Sequence, residues 1–210
     1  MRLSSKSFDD SRPIPERHAF ARVDPSAHAA PSDDESPHLA WSGAPDRTRS
    51  IALLCIDPDA PSVGDDVNKE GRTVRKDLPR AEFVHWVMVD VRPDVRELAA
   101  GSCGRGVTPG GKRSPPGPPG ARQGKNDYTG WFAADPAMAG TYLGYDGPAP
   151  PWNDERVHRY RFEVFALDVE RLAVDGEFTA ADARRAMQGH VLASASLTGT
   201  YTLNPKARAR

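Results

Sequence analysis

In the stretch His158-Arg159-Tyr160-Arg161-Phe162-Glu163-Val164-Phe165-Ala166-Leu167-Asp168, residues His158, Tyr160, Phe162, Val164 and Ala166 fall on one side. Arg159, Arg161 and Glu163 occupy much of the other. Side chains of a strand alternate between its two faces, so this period of two marks a half-buried β-strand whose first inward residue is a histidine. Residues 82–91 read as a second strand, with Phe83, His85, Val87, Val89 and Val91 on one face and Val84, Trp86 and Met88 on the other. Both faces are apolar, as in a central strand, which places His85 inside. A third strand, residues 50–57, carries Ile51, Leu53, Cys55 and Asp57 on one face and runs into Asp57-Pro58-Asp59-Ala60-Pro61. Proline removes a ladder donor, so regular pairing is expected to end there, with Asp57 closing the strand and Asp59 in the turn.

Around these strands the chain is rich in punctuation. Its 20 prolines and 18 glycines cluster between apolar runs, which argues for a loop-rich β domain and against a helical bundle. Residues 1–33 alternate polar residues with Pro13, Pro15, Pro25 and Pro31, leaving room for at most a short edge strand near residues 3–8. Thr179 and Asp182 have capping-box spacing ahead of a helix over residues 180–187, with Gly189 as its stop. Residues 190–197 fit either a helix or a strand. Residues 62–81, rich in charge, and 101–125, rich in glycine and proline, read as solvated insertions. With 210 residues, 38% of them hydrophobic, one well-packed domain is expected.

Several function classes lose support. The 28 basic side chains face 29 acidic ones, so no global field draws the chain to nucleic acid or to an anionic membrane. An acidic ligand must be caught locally. Cys55 and Cys103 are too few for a disulfide framework, and no apolar run reaches a signal h-region or the roughly 20 residues of a membrane span. A cytoplasmic protein without an integral membrane segment is expected. Residues 106–112 spell G-x-x-x-x-G-K, but Arg113 stands where a Mg²⁺-binding hydroxyl is needed, and Pro115 and Pro116 block the helix that would hold phosphate. No G-x-S-x-G, H-E-x-x-H or C-x-x-C occurs, so neither a metal nor a cofactor is expected.

What survives is a constellation: two inward histidines, two aspartates at a strand end, and Gly147-Pro148-Ala149-Pro150-Pro151 just before His158. Singly, each reads as core or turn chemistry. Together with Asp57-Pro58-Asp59-Ala60-Pro61, His85-Trp86, and His158-Arg159-Tyr160 leading to Ala166-Leu167-Asp168, they resemble, in order and spacing, the signatures of phosphatidylethanolamine-binding (Raf kinase inhibitor-like) proteins. Ser36-Pro37-His38-Leu39-Ala40-Trp41 upstream and Leu197-Thr198-Gly199-Thr200-Tyr201 downstream are similar to the bacterial branch.

The resemblance covers residues 34–202, with 1–33 as an N-terminal edge segment and 203–210 as a tail. It implies a mainly β fold: an antiparallel β-sandwich with a large central sheet and short C-terminal helices. It also implies a non-catalytic pocket for a phosphate-like anion, a phosphorylated compound or a lipid head group, lined by Asp57, Asp59, His85, Gly147, Pro148, Pro150, Pro151, His158 and Tyr160. A kinase or protease as protein partner and a homodimer through an exposed sheet face follow from the same likeness. In the pocket, paired protonated histidines would hold the anion while the aspartates orient the rings. The proline run would be a preformed wall, with one X-Pro bond a candidate for the cis form. Asp154 and Glu155, near the mouth, are expected to weaken anion capture. Alternatives are a hydrolase or transferase using His85 or His158 with Asp57, and a protein-interaction module acting through its loops.

Overall fold

The computed structural model describes residues 1–208. In chain order the strands are β1 (Arg2–Ser4), β2 (Arg12–Pro13), β3 (Ala21–Asp24), β4 (His28–Pro31), β5 (Leu39–Ser42), β6 (Ser50–Pro61), β7 (Arg80–Val91), β8 (Glu97–Leu98), β9 (Arg122–Gln123), β10 (His158–Leu167) and β11 (Val191–Tyr201). The short helices are α1 (Tyr128–Trp131), α2 (Ala180–Ala186) and α3 (Pro205–Arg208). A six-stranded sheet in the order β2-β11-β10-β6-β7-β9 forms the centre, antiparallel throughout except for the brief pairing of β2 with β11. Strands β1, β5 and β8 make a small second sheet, and β3 and β4 a hairpin.

Alternation on β6 explains the layering. Ile51, Leu53 and Cys55 join Phe162 and Val164 under the small sheet's Leu3, Leu39 and Trp41. Ala52, Leu54 and Ile56 face the opposite way, onto Phe178, Ala183 and Met187 around α2. Full burial of a leucine-sized side chain is worth roughly 1.5–3 kcal/mol, so a strand with two apolar faces is held firmly between two layers. Helix α2 has its expected cap: the Thr179 hydroxyl accepts from Asp182 N, and the Asp182 carboxylate accepts from Thr179 N. Gly189, at φ +82°, ends the turn that follows. The next segment is a strand, β11, in register with β10 so that Ala193 and Ala195 lie opposite Ala166 and Val164.

Four features depart from the sequence reading. Strand β6 does not stop at Asp57 but runs through Pro58 to Pro61, because a bulge absorbs the prolines: Asp57 pairs with Phe83, whereas Ala60 pairs with Ala81. On β7 the extra residue is His85, since Cys55 pairs with Trp86 and Ile56 with Val84. That bulge separates His85 from Val87 and Val89, its expected face-mates, which pack on the α2 side. Residues 1–33 contribute four strands, each of two to four residues, instead of one. Finally, residues 62–81 and 101–125 are not merely solvated, since Val67, Val74, Cys103 and Lys112 are buried. Among the described residues, no helix is long and apolar enough to cross a membrane.

Candidate functional site

Two of the three register shifts between β6 and β7, those at His85 and after Asp57, fall at one end of the central sheet, and there a cavity of about 450 Å³ opens. Asp57 of β6, His85 of β7, and His158 and Tyr160 of β10 line its polar end. Pro150 and Pro151 form one wall, and Phe20 and Ala29 from the N-terminal segment, Val63 and Val67 from the charged loop, and Tyr128, Trp131 and Phe132 around α1 form the rest. A bulge re-aims the side chain it carries, and here it turns the imidazole of His85 toward these walls. The ring lies edge-on to Tyr160 and Tyr128, with centroids 5.1 and 5.5 Å away.

The two histidines differ in what they can offer. His85 Nδ1 lies 2.8 Å from the carbonyl oxygen of Asp146. A carbonyl only accepts, so Nδ1 carries the proton and a neutral ring leaves a lone pair on Nε2. Among the described residues Nε2 has no partner. Burial pushes the pKa of His85 down, against the pull of Asp57, which favours that neutral form. His158 is held on both sides: Nδ1 is 2.7 Å from Asp57 and Nε2 is 3.0 Å from Asp154. Burial alone would discharge it, but Asp57 and Asp154 outweigh burial and hold its pKa up at about 9. His158 is thus an imidazolium whose two donors are committed, and the expected pairing of two histidines on one anion reduces to His85.

The remaining expected residues divide between lining and bracing. Asp57 lines the cavity while accepting from His158 and from Asp59 N. Asp59 turns away from the cavity: Arg159 reaches it at 2.8 Å and Arg156 at 3.0 Å, and these bonds outweigh burial to lower its pKa to about 2. Tyr160 lines the cavity, and its buried hydroxyl has no hydrogen-bond partner among the described residues. Gly147 and Pro148 stand behind the wall. A Cβ at Gly147 would sit 2.2 Å from His18 O, so glycine is needed for this approach. The Pro148 carbonyl accepts from Phe20 N and Ala21 N, which draws the N-terminal segment over the cavity. Every X-Pro bond among the described residues is trans.

Asp154 and Glu155 do not crowd the mouth as expected. Asp154 is buried between Arg80 and His158, and Glu155 accepts from Lys76 N. Their neighbour Asn153 donates to the carbonyls of Asp66, Lys69 and Arg72 and accepts from Asn68 N. The Asn153-Asp154-Glu155 run is therefore a clasp that folds the charged loop into a cavity wall.

Two groups of residues escaped the sequence reading. Tyr128, Trp131 and Phe132 have the i, i+3, i+4 spacing that puts side chains on one helical face, a signal present in the sequence. Asp34, Lys112 and Asp146 meet beneath the cavity as a buried ionic cluster, with the Lys112 amine 2.5 Å from each carboxylate. No local pattern couples residues so far apart along the chain.

The phosphatidylethanolamine-binding protein family profile matches residues 4–202 of this chain. The UPF0098 protein YbhB of Escherichia coli is 32% identical over 202 residues, covering 96% of this chain and 100% of that protein. A UPF0098 protein of Methanothermobacter thermautotrophicus is 33% identical over 201 residues, covering 96% and 98%. Among solved structures, Escherichia coli YbcL, described as a new member of the mammalian PEBP family, superposes with a TM-score of 0.67 at 26% identity, covering 96% of this chain and 97% of its own.

Proposed function

Because the chain belongs to the phosphatidylethanolamine-binding protein family, we propose that it is a binding protein for a small phosphorylated ligand. The polar end of that ligand would reach His85 and Tyr160, and its apolar part would lie against the aromatic rim. The observation that carries this reading is the open Nε2 lone pair of His85 at the polar end of the cavity, next to the lining residue Tyr160, whose buried hydroxyl has no partner among the described residues. A buried hydroxyl without a partner costs about 1–3 kcal/mol, which a ligand oxygen accepting from it would recover. The matching group both donates and accepts. A phosphate monoester, whose second pKa is about 6, can bring the proton that Nε2 accepts and an oxygen for Tyr160. Protonating His85 instead would serve a fully ionised phosphate, so both routes favour binding at lower pH.

Binding without turnover fits the same geometry. Among the described residues no hydroxyl or thiol is hydrogen-bonded to either imidazole, and His85 is backed by a peptide carbonyl where a general base is commonly backed by a carboxylate. Relatives in this family are generally binding proteins. Titration calorimetry with phenyl phosphate at pH 6 and pH 8 tests the reading. Affinity is expected to be higher at pH 6, and Tyr160→Phe to weaken it by about three- to tenfold. Equal affinity in wild type, Tyr160→Phe and His85→Ala would place the ligand elsewhere and overturn the assignment.

A further inference from the structure

Gly111-Lys112 ends the G-x-x-x-x-G-K run, yet it takes no part in a phosphate loop. Gly111 has φ +84°, and a Cβ there would lie 2.2 Å from Thr141 O, so only glycine lets the loop press against this neighbour. The following residue, Lys112, points inward. Its amine donates to Asp34 at 2.5 Å, to Asp146 at 2.5 Å and to the Tyr145 carbonyl at 3.1 Å. The second oxygen of Asp34 accepts from Gly147 N at 2.7 Å, and that of Asp146 accepts from Asn126 at 2.7 Å. The arms of this cluster thus converge on residues 145–147. In the middle of them, the Asp146 carbonyl receives the Nδ1 proton of His85, and Asp146 N donates back to the His85 carbonyl.

We propose that Lys112 is a positioning residue for the cavity: by drawing Asp34 and Asp146 together it fixes the peptide carbonyl that holds the Nδ1 proton of His85, and so makes Nε2 the ligand-facing acceptor. The inference rests on the cavity reading above only for its ligand arm. Asp34 and Asp146 are fully buried, and without the amine two desolvated carboxylates face one another. Such a pair relaxes by moving apart or by taking up a proton. Burial, with the charge of Asp146, already pushes the Asp34 carboxyl well above the usual carboxylate range. Either response displaces Asp146, whose own carbonyl is the partner of His85. A ring that loses this acceptor is free to carry its proton on Nε2, and the cavity then offers a donor where it had an acceptor.

The test is nitrogen NMR of the histidine rings in the full-length, ligand-free protein, followed by titration with inorganic phosphate. Wild type is expected to show His85 protonated on Nδ1. Lys112→Met is expected to shift the ring toward the Nε2–H tautomer, to lower its pH midpoint further because the lost carbonyl bond favours the charged ring, and to weaken phosphate binding by about five- to tenfold. Met187→Ala, which opens the core on the far side of the sheet, lowers stability but is expected to leave the His85 ring unchanged. Asp34→Asn, which keeps the Lys112–Asp146 bond, is expected to give a smaller change of the same sign and serves if Lys112→Met does not fold. A His85 ring with the wild-type tautomer and midpoint in both Lys112→Met and Asp34→Asn overturns the proposal. Absence of phosphate binding in the wild type would count against the cavity reading alone, since the tautomer is read without ligand.

Discussion

His158 lies between two carboxylates in the protein interior, and this makes its contribution to stability depend on pH with a definite sign. Its folded pKa of about 9 stands above the value of 6.5 for a free histidine. At about 1.4 kcal/mol for each pKa unit, the difference corresponds to about 3 kcal/mol of stability. Because the folded value is the higher one, this contribution is fully present below pH 6.5 and is lost as pH rises through about 9. A domain of this kind has a total stability of about 5–15 kcal/mol, so the loss is measurable. Guanidinium unfolding of wild type and His158→Gln at intervals from pH 6 to pH 10 isolates it, since groups that titrate in both proteins cancel in the difference. Wild type is expected to exceed the variant most at pH 6, and the gap to shrink by about 3 kcal/mol by pH 10. Parallel curves across this range would refute the reasoning, for they would mean that His158 binds no extra proton in the folded chain.

The clasp and the loops carry three further expectations. Asn153→Ala removes the amide whose two N–H groups reach the carbonyls of residues 66, 69 and 72, one of them shared, and is expected to cost about 2–3 kcal/mol in urea unfolding, with faster proteolytic cleavage within that loop. Gly111→Ala places a Cβ against Thr141 O at positive φ and is expected to destabilise by about 3 kcal/mol or more, read as a lowered Tm. Asp59→Asn, at a residue bonded to Arg156 and Arg159 and turned from the cavity, is expected to lower stability while leaving phosphate affinity within about twofold of wild type; a large loss of affinity by calorimetry would return Asp59 to the ligand site.

The parts of the fold visible in the sequence are those whose period survives intact. Strand β10 keeps strict alternation from His158 to Leu167, so the inward placing of His158 and Tyr160 followed directly from pattern. Strand β7 does not, because the residue added at His85 changes the phase of the strand without any glycine or proline to mark it. His85 was found, but its companions were misassigned. The strands of residues 1–33 are too short to display a period, and Phe20, which forms part of the cavity wall, was lost with them. Charge partners were the least legible. Asp34 and Lys112 lie 78 positions apart, and a lysine after glycine in a proline-rich loop reads as solvent-exposed until the fold buries it. The two histidines looked equivalent for the same reason, since only the positions of Asp57 and Asp154 distinguish a saturated imidazolium from an open ring.

The paired bulges have a consequence for how such a chain can change over generations. The extra residue at His85 shifts β7 by one place against β6, and the extra residue between Asp57 and Ala60 shifts it back, so that Cys55 opposite Trp86 and Ala60 opposite Ala81 belong to the same register. The two insertions cancel. A descendant that deleted His85 alone would keep Cys55 opposite Trp86 and Ile56 opposite Val84, with Val84 and Trp86 as consecutive residues on opposite faces. Loss of the site without damage to the sheet therefore takes a single deletion. The ladder does not hold the histidine in place, so where it persists among descendants it should be the ligand, and not the sheet, that keeps it.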